Sequence, residues 1–231
     1  MGRYPEADFS RLAIGPAAER PTKVRVEDFS RPLDPRAARA VLESLPRQLA
    51  GLAFPEVVAR VVRAHRASRP VVAMCGGHVV KVGVSPCLLA LMEHGVITHL
   101  ALNGAALGET AMRDFRILAR TLAEVRGAVV LNLGSAVLLP EVFLKALSVA
   151  RNLGADLSDL TTVNFDQIQH YRPRVNVVER PTRAAGARGY ALTGHHEILI
   201  PLFAGAVLAE LEATPASPHT SGGRTAGSRG T

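Results

Sequence analysis

The stretch "VVAMCGGHVVKVGVSPCLLALMEHGVITHLALN", residues 71–103, decides the fold. It begins with an aliphatic run typical of a buried strand and breaks at Gly76 and Gly77. A helical segment follows, for which we predict Ser85 as the N-cap and Gly95 as the end. The next aliphatic run, "VITHLALN", predicts a second strand. A strand, a glycine turn, a helix and another strand are the repeating unit of a parallel sheet.

The same alternation continues along the chain. We predict a helix from about Thr110 to Val125, a strand over "AVVLNLG", a helix from Pro140 to Gly154 and a strand over "LTTVNF". Strands that alternate with helices of this length indicate an α/β fold with a Rossmann-like, doubly wound parallel sheet.

The segment before residue 71 carries weaker signals. The alternation in "KVRVEDF" predicts a short edge strand. Asp34 and Pro35 predict the start of a helix that kinks or ends at Pro46, and a second helix is expected from about Pro55 to Ala67.

Composition is consistent with one such domain. Of the 231 residues, 48% are hydrophobic but only 4% are aromatic, so the core must consist mainly of aliphatic side chains, as in a parallel sheet. We expect an N-terminal extension over residues 1–33, the Rossmann-like domain over 34–213, and a disordered tail over 214–231, which is rich in Gly, Ser and Thr.

Several features concern the compartment. No apolar stretch is long enough to cross a bilayer and the polar N-terminus does not resemble a signal peptide, so we expect a cytoplasmic protein with no membrane partner. Cys75 and Cys87 form no disulfide framework and are expected to be reduced thiols in or near the core.

The formal charge of +7 raises the question of nucleic acid. The basic residues are nearly all arginines scattered along the chain, without interleaved aromatics or an RNA-recognition motif. Binding to RNA is therefore an alternative that rests on charge alone.

The glycine clusters follow the predicted strands. In parallel sheets the carboxyl ends of the strands are where ligands bind, which favours a nucleotide there. Two standard motifs are absent: the first turn lacks GxGxxG and has no GKS or GKT, and Asn103 stands where an acidic ribose ligand is usual.

Long runs of the chain resemble one known family. The segments "GGHVVKVGVSPCLLALMEHGVITHLALNGA", "VVLNLGSAVLLPEVFLKALSVARNLGADL", "VNFDQIQHYRPRVNVVERP" and "GYALTGHHEILIPL" are together similar to the deoxyhypusine synthase family, in particular its little-characterised bacterial branch. The resemblance covers about Val24 to Leu211. It implies a Rossmann-like fold, NAD as cofactor, a homo-oligomer that is usually a tetramer, and transfer of an aminobutyl group from a polyamine to a protein lysine or another amine.

The resemblance also implies roles for particular residues. It places Asp166 at the ribose side and His195 and Glu197 in the last cofactor loop. Because a polyamine is cationic and needs acidic groups near it, we assign catalytic or substrate-side roles to Asp166, His195 and Glu197. Contacts to the cofactor fall to Gly76, Gly77, His78, Lys81, Gly83, Ser85, Asn103, Gly104, Gly134, Ser135, Asn164, Thr193, Gly194 and His196.

Two departures from the family pattern stand out. Where the family has its imine-forming lysine, this chain has arginines such as Arg183 and Arg188, and arginine stays protonated and cannot form a Schiff base. A covalent step would need Lys81, Lys145 or another mechanism. The chain also lacks an internal segment that the family carries between the positions of Asn103 and Glu109.

Alternatives therefore stay open. The chain is either an NAD-dependent aminoalkyl transferase, a noncatalytic NAD-binding or scaffold protein of the same fold, or a basic RNA-associated protein. We expect no metal, since adjacent histidines in "TGHHE" would point to opposite faces of an extended segment and no third ligand has suitable spacing.

Overall fold

The structure is a computed structural model that describes residues 25–102, 108–124, 126–184 and 186–213. Within these residues one sheet contains the strands β1 (Val71–Cys75), β2 (His99–Leu102), β3 (Val129–Leu133), β4 (Thr161–Asp166) and β5 (Arg188–Thr193). All neighbouring strands pair in parallel, in the order β2-β1-β3-β4-β5. The predicted α/β class and its parallel sheet are confirmed.

Helices cover both faces of the sheet. They are α1 (Pro35–Ser44), α2 (Ala50–Arg66), α3 (Gly77–Lys81), α4 (Ser85–Glu93), α5 (Gly108–Glu124), α6 (Leu138–Asn152), α7 (Tyr171–Pro173) and α8 (His196–Ala213), with a 3-10 turn at Val26–Asp28 and a π-helix at Arg174–Glu179. One core cluster joins α2, α4 and α8 to the sheet, and a second joins α5, α6 and the π-helix to the opposite face. The sheet is therefore doubly wound.

The strand order locates the place where a ligand could bind. The chain passes from β1 to β2 on one side and then returns to β3 on the other side of β1. The order reverses between β1 and β3, and crevices outside the carboxyl ends of strands at such a reversal are the usual ligand sites of open α/β sheets.

Several local predictions are confirmed. Asp34 Oδ1 accepts hydrogen bonds from the backbone N–H groups of Arg36 and Ala37 and so caps α1. Gly95 and Gly154 follow α4 and α6 with φ of +67° and +84°. Only glycine adopts this left-handed conformation without strain, which explains why both helices end there.

Two predictions upstream of the sheet are wrong. In place of an edge strand, residues 26–28 form the 3-10 turn, in which the Asp28 carboxylate accepts a hydrogen bond from Arg25 N. Residues 23 and 24 of the predicted strand lie outside the described residues. Helix α2 begins at Ala50 rather than near Pro55. The buried ring of Phe54 anchors its first turns against Phe165, and this burial outweighs the donor that Pro55 lacks.

Two boundaries in the first repeat also differ from prediction. Ser85 is the first helical residue of α4 and caps nothing, since the tight turn after α3 places buried Val84 in the N-cap position. Strand β2 is shorter than "VITHLALN" because the N–H groups of Val96 and Ile97 both bond to the Leu91 carbonyl at the end of α4.

The two cysteines are free and buried, which confirms the expectation of reduced thiols in the core. Burial raises the pKa of Cys75 to about 12 and also raises the pKa of Cys87. Within the described part of the chain, no helix combines the length and the hydropathy needed to span a membrane.

The raised pKa of Cys75 predicts a thiol that reacts slowly with disulfide reagents. A shift from 9.0 to about 12 lowers the thiolate fraction near pH 8 by about a thousandfold, so a disulfide reagent should label Cys75 about that much more slowly in the folded protein than in denaturant. The folded state binds the thiol proton of Cys75 more tightly than the unfolded state does. The protonated thiol therefore contributes fully to the free energy of unfolding below pH 9.0, and this contribution declines as the pH rises towards 12. Labelling of a Cys87→Ser variant measures Cys75 alone, and rapid labelling of the folded variant would contradict this placement.

Candidate functional site

Four turns meet at the carboxyl edge of the sheet, and we call them the rim. They are residues 76–78 after β1, 134–135 after β3, residue 167 after β4, and 194–195 after β5. The turn after β2, with Asn103 and Gly104, lies outside the described residues. The rim thus includes the point where the strand order reverses.

Backbone hydrogen bonds of the sheet continue into three of these turns. Gly76 N donates to the Leu133 carbonyl at 2.8 Å, Gly134 N to the Phe165 carbonyl at 3.0 Å, and Gly194 N to the Asp166 carbonyl at 3.1 Å. The N–H groups of these three glycines are therefore engaged within the protein, and their proposed contact with a cofactor stays a prediction.

Close packing at the reversal point explains the first glycine. A Cβ on Gly76 would lie 2.2 Å from the carbonyl oxygen of Gly134, far inside van der Waals contact. Gly134 itself has φ +65°, and a Cβ there would lie 2.6 Å from the ring of His196. The backbones of the β1 and β3 turns can approach each other only because both residues are glycine.

The ring of His196 packs against Gly134 in the turn after β3. The ring is 1% exposed and its Nε2 lies 3.1 Å from the Phe165 carbonyl oxygen. Because a carbonyl only accepts, Nε2 carries the hydrogen, and Nδ1 is left buried without a partner in the described part of the chain. His196 is the first residue of α8, so the predicted extended segment with two opposed histidines is wrong.

Gly77 differs from its neighbour. It is exposed, and a Cβ added there would meet no atom within 4 Å. Its backbone N–H and that of His78 begin the short helix α3 and have no hydrogen-bond partner in the ranges described. The His78 ring lies 5.4 Å from that of His196, and the side-chain amide of Gln167 donates to His78 Nε2 at 3.0 Å.

A chain of buried amides lies beneath the rim, on the face that carries α6. Asn132 Nδ2 donates to Asn164 Oδ1 at 2.7 Å and to the Ser135 carbonyl at 2.9 Å. Asn164 Nδ2 donates to Gln169 Oε1, and Gln169 Nε2 to the Leu192 carbonyl. Asn132 Oδ1 and Ser135 Oγ remain buried without partners among the described residues. Asn164 is thus fixed within the protein, and a role at a ribose stays a prediction.

The predicted catalytic residues lie near one another at the ends of β4 and β5. Asp166 is 9% exposed, and its Oδ1 accepts a hydrogen bond from Gln167 N at 2.8 Å. His195 Nδ1 lies 3.5 Å from Glu197 Oε1, and both side chains are about half exposed. Thr193 ends β5 opposite Asp166. The buried carboxylate of Asp166 and the exposed carboxylate of Glu197 therefore both lie at the carboxyl edge of the sheet.

The other predicted cofactor residues lie on or after α3. Lys81 is its last residue and is exposed. Gly83 has φ +73°, and a Cβ there would lie 3.2 Å from the ring of Phe29. Ser30 N also donates to the Gly83 carbonyl, so Gly83 packs against the segment before α1 rather than against the rim. Ser85 begins α4 directly after it.

Sequence reasoning missed three polar residues of this region: Asn132, Gln167 and Gln169. Asn132 had a recognisable signal, since it is the one polar residue in the otherwise aliphatic strand β3. In the described part of the chain no group of three His, Cys, Asp or Glu side chains is arranged to hold a metal ion.

Comparisons with known proteins add no assignment. A scan against protein-family models finds no match to this chain, and a search of curated proteins finds none either.

Proposed function

We propose that this chain binds NAD at the rim and uses it to transfer an aminoalkyl group from a polyamine or related amine. The observation that carries the proposal is the turn at Gly77, an exposed backbone at the reversal of the strand order. A Cβ there would meet no atom within 4 Å, and the N–H groups of Gly77 and His78 have no hydrogen-bond partner among the described residues. Unpaired backbone N–H groups in a glycine turn are suited to the oxygens of a pyrophosphate.

The residues present fit a dinucleotide in part. Gly77 and His78 offer the free N–H groups, and exposed Lys81 supplies a positive charge on the same short helix. Ser135 Oγ, buried without a partner in the described chain, is a further polar atom at the neighbouring turn. Because the backbones of Gly76 and Gly134 pack too closely to admit even a Cβ, we place the proposed site outward, at Gly77. When bound, NAD supplies a hydride acceptor and later a hydride donor.

Acidic residues suit the amine side of the reaction. A polyamine is cationic near neutral pH, and Asp166 and Glu197 are carboxylates at the same edge of the sheet. Glu197 is exposed and able to meet an incoming ammonium group, whereas buried Asp166 can hold an amine close to the strand end. His195, beside Glu197, is placed to accept or donate a proton.

Lysine placement bears on any covalent step. The chain has only three lysines. Lys145 is exposed on α6, and Lys81 ends the short helix that begins at Gly77. Of the two lysines in the described residues, Lys81 is the one next to the rim, and in this proposal its charge serves the pyrophosphate.

The test mixes the protein with NAD and spermidine and follows NADH by absorbance. We expect spermidine-dependent NADH formation, and a rate at least about tenfold lower in Glu197→Gln, because a charge-assisted contact to the ammonium group is lost. Glu93→Gln is the matched control, since Glu93 is an exposed acid at the far end of α4. NAD binding without NADH formation would favour the noncatalytic alternative, and absence of NAD binding would contradict both.

A basic cleft favours RNA association as a second candidate. Four arginines and one acid line it at the amino-terminal edge of the sheet, opposite the rim: Arg60, Arg63, Arg69, Arg126 and Asp159. Arg60 and Arg126 are paired with Glu56 and Asp156, which reduces the positive charge available to phosphates. Binding of mixed RNA that weakens steeply with salt, in a chain that does not bind NAD, would favour this candidate.

A further inference from the structure

The geometry points to a second ligand site, for a small oxyanion, in a cleft between α6 and the π-helix. The cleft has a volume of about 360 Å³ and is lined by Glu141, Tyr171, Arg172, Val175, Asn176 and Arg180. None of these residues belongs to the rim, so the site is separate from the proposed NAD site.

Asn176 is the first indication of a ligand. The residue is 6% exposed, its side chain lines the cleft, and it has no hydrogen-bond partner among the described residues. The amide atoms of Asn176 are not among the fully buried unpartnered side-chain atoms, so they are open to the cleft, where they are available as hydrogen-bond donor and acceptor to a ligand.

Charge determines the kind of ligand. Arg172 is paired with Glu141, with Nε 3.4 Å from Oε1, while the Arg180 guanidinium has no ion pair or hydrogen bond within the described ranges. The lining groups carry two positive charges and one negative charge. A guanidinium is a planar fork of N–H donors that matches the oxygens of a carboxylate or a phosphate.

The π-helix brings these groups together. Arg172 lies in α7, Asn176 in the π-helix and Arg180 directly after it. Residues four apart in a continuous helical segment lie on one side of it, and all three line the cleft. The ion pair between Arg174 and Glu179, five residues apart, follows from the wide turn of the π-helix and lies outside the cleft lining. Arg151 of α6 donates to the Pro181 carbonyl and fixes the end of this segment against α6.

Titration with inorganic phosphate at constant ionic strength, followed by the NMR signal of the Asn176 side-chain amide, tests the site. We expect a saturable shift, and an affinity at least about tenfold lower in Arg180→Gln, because one charge-assisted contact is lost. Arg174→Gln is the matched control: it removes the same charge from the same helix but from outside the cleft, and we expect less than about a twofold change. Acetate in place of phosphate distinguishes a carboxylate site from a phosphate site.

Three results would overturn the inference: no saturable shift with either anion, a shift that spares the Asn176 amide, or equal weakening by Arg174→Gln and Arg180→Gln. Arg180 is exposed, and circular dichroism checks that its variants fold; Arg180→Lys, which keeps the charge but not the fork, should retain part of the affinity. Gly77→Val should bind phosphate normally, so failure of the NAD proposal and failure of this one are told apart.

Discussion

Gly76→Ala is expected to destabilise the fold by about 3 kcal/mol, at the upper end of the cost of overpacking. The added Cβ would lie 2.2 Å from the Gly134 carbonyl oxygen, and a backbone atom cannot move aside as a flexible side chain can. For a domain of this size the loss corresponds to a fall in Tm of about 6–12 °C. Thermal unfolding measures the fall in Tm, and urea unfolding measures the loss in the free energy of unfolding.

Gly77→Ala is the matched control for this prediction. A Cβ at Gly77 meets no atom within 4 Å, and Gly77 is the first residue of a helix. Alanine is favoured over glycine in helices by up to about 1 kcal/mol, so this variant should be as stable as the parent or slightly more stable. Equal destabilisation by both substitutions would show that the turns of β1 and β3 do not pack as described.

Gly77→Val should lower the affinity for NAD by about a hundredfold while the protein remains folded, since two or more charge-assisted contacts would be blocked. A Cβ at Gly77 would meet no atom within 4 Å, and the valine methyl groups beyond it would occupy the open region that we assign to the pyrophosphate. Gly77→Ala, with a smaller side chain, should have an intermediate effect. Calorimetric titration with NAD measures the affinities.

The control for this variant is its own stability. Because Gly77 is exposed and open, the unfolding transition of Gly77→Val without ligand should match that of the parent. Normal NAD affinity in a folded Gly77→Val variant would place any cofactor elsewhere on the molecule.

The parallel sheet could be predicted because its signals are local. Aliphatic runs mark β1, β3 and β4, and the stop signals at Gly95 and Gly154 act through positive φ, which is a property of one residue. Strand β5 was not predicted as a strand. Its side chains are mostly exposed at the edge of the sheet, so it lacks the aliphatic run that marked the others.

The errors arose where distant contacts outweigh local preference. The start of α2 depends on Phe54 packing against Phe165, more than a hundred residues away in sequence. The π-helix has no sequence signal that we recognised. Tertiary packing of this kind is invisible to a reading of neighbouring residues.

The sequence predicted where the candidate site lies, at the rim, but not the role of each residue in it. Glycines after strands correctly indicated turns at one edge of the sheet, but the pattern "GG" does not show which glycine packs against backbone and which is open. Gly76 serves close packing with Gly134, and Gly77 is the residue left open. Asn164 is bonded to Asn132 of β3, and His78 to Gln167 in the turn after β4; these contacts between distant segments appear only in three dimensions.

Thermal unfolding of the purified protein with and without millimolar NAD tests the central claim most directly. At a concentration a hundredfold above Kd, binding to the folded state contributes about 2.7 kcal/mol. For a domain of this size we therefore expect Tm to rise by about 5–10 °C. A cooperative transition at the same temperature with and without NAD would contradict the proposed cofactor site.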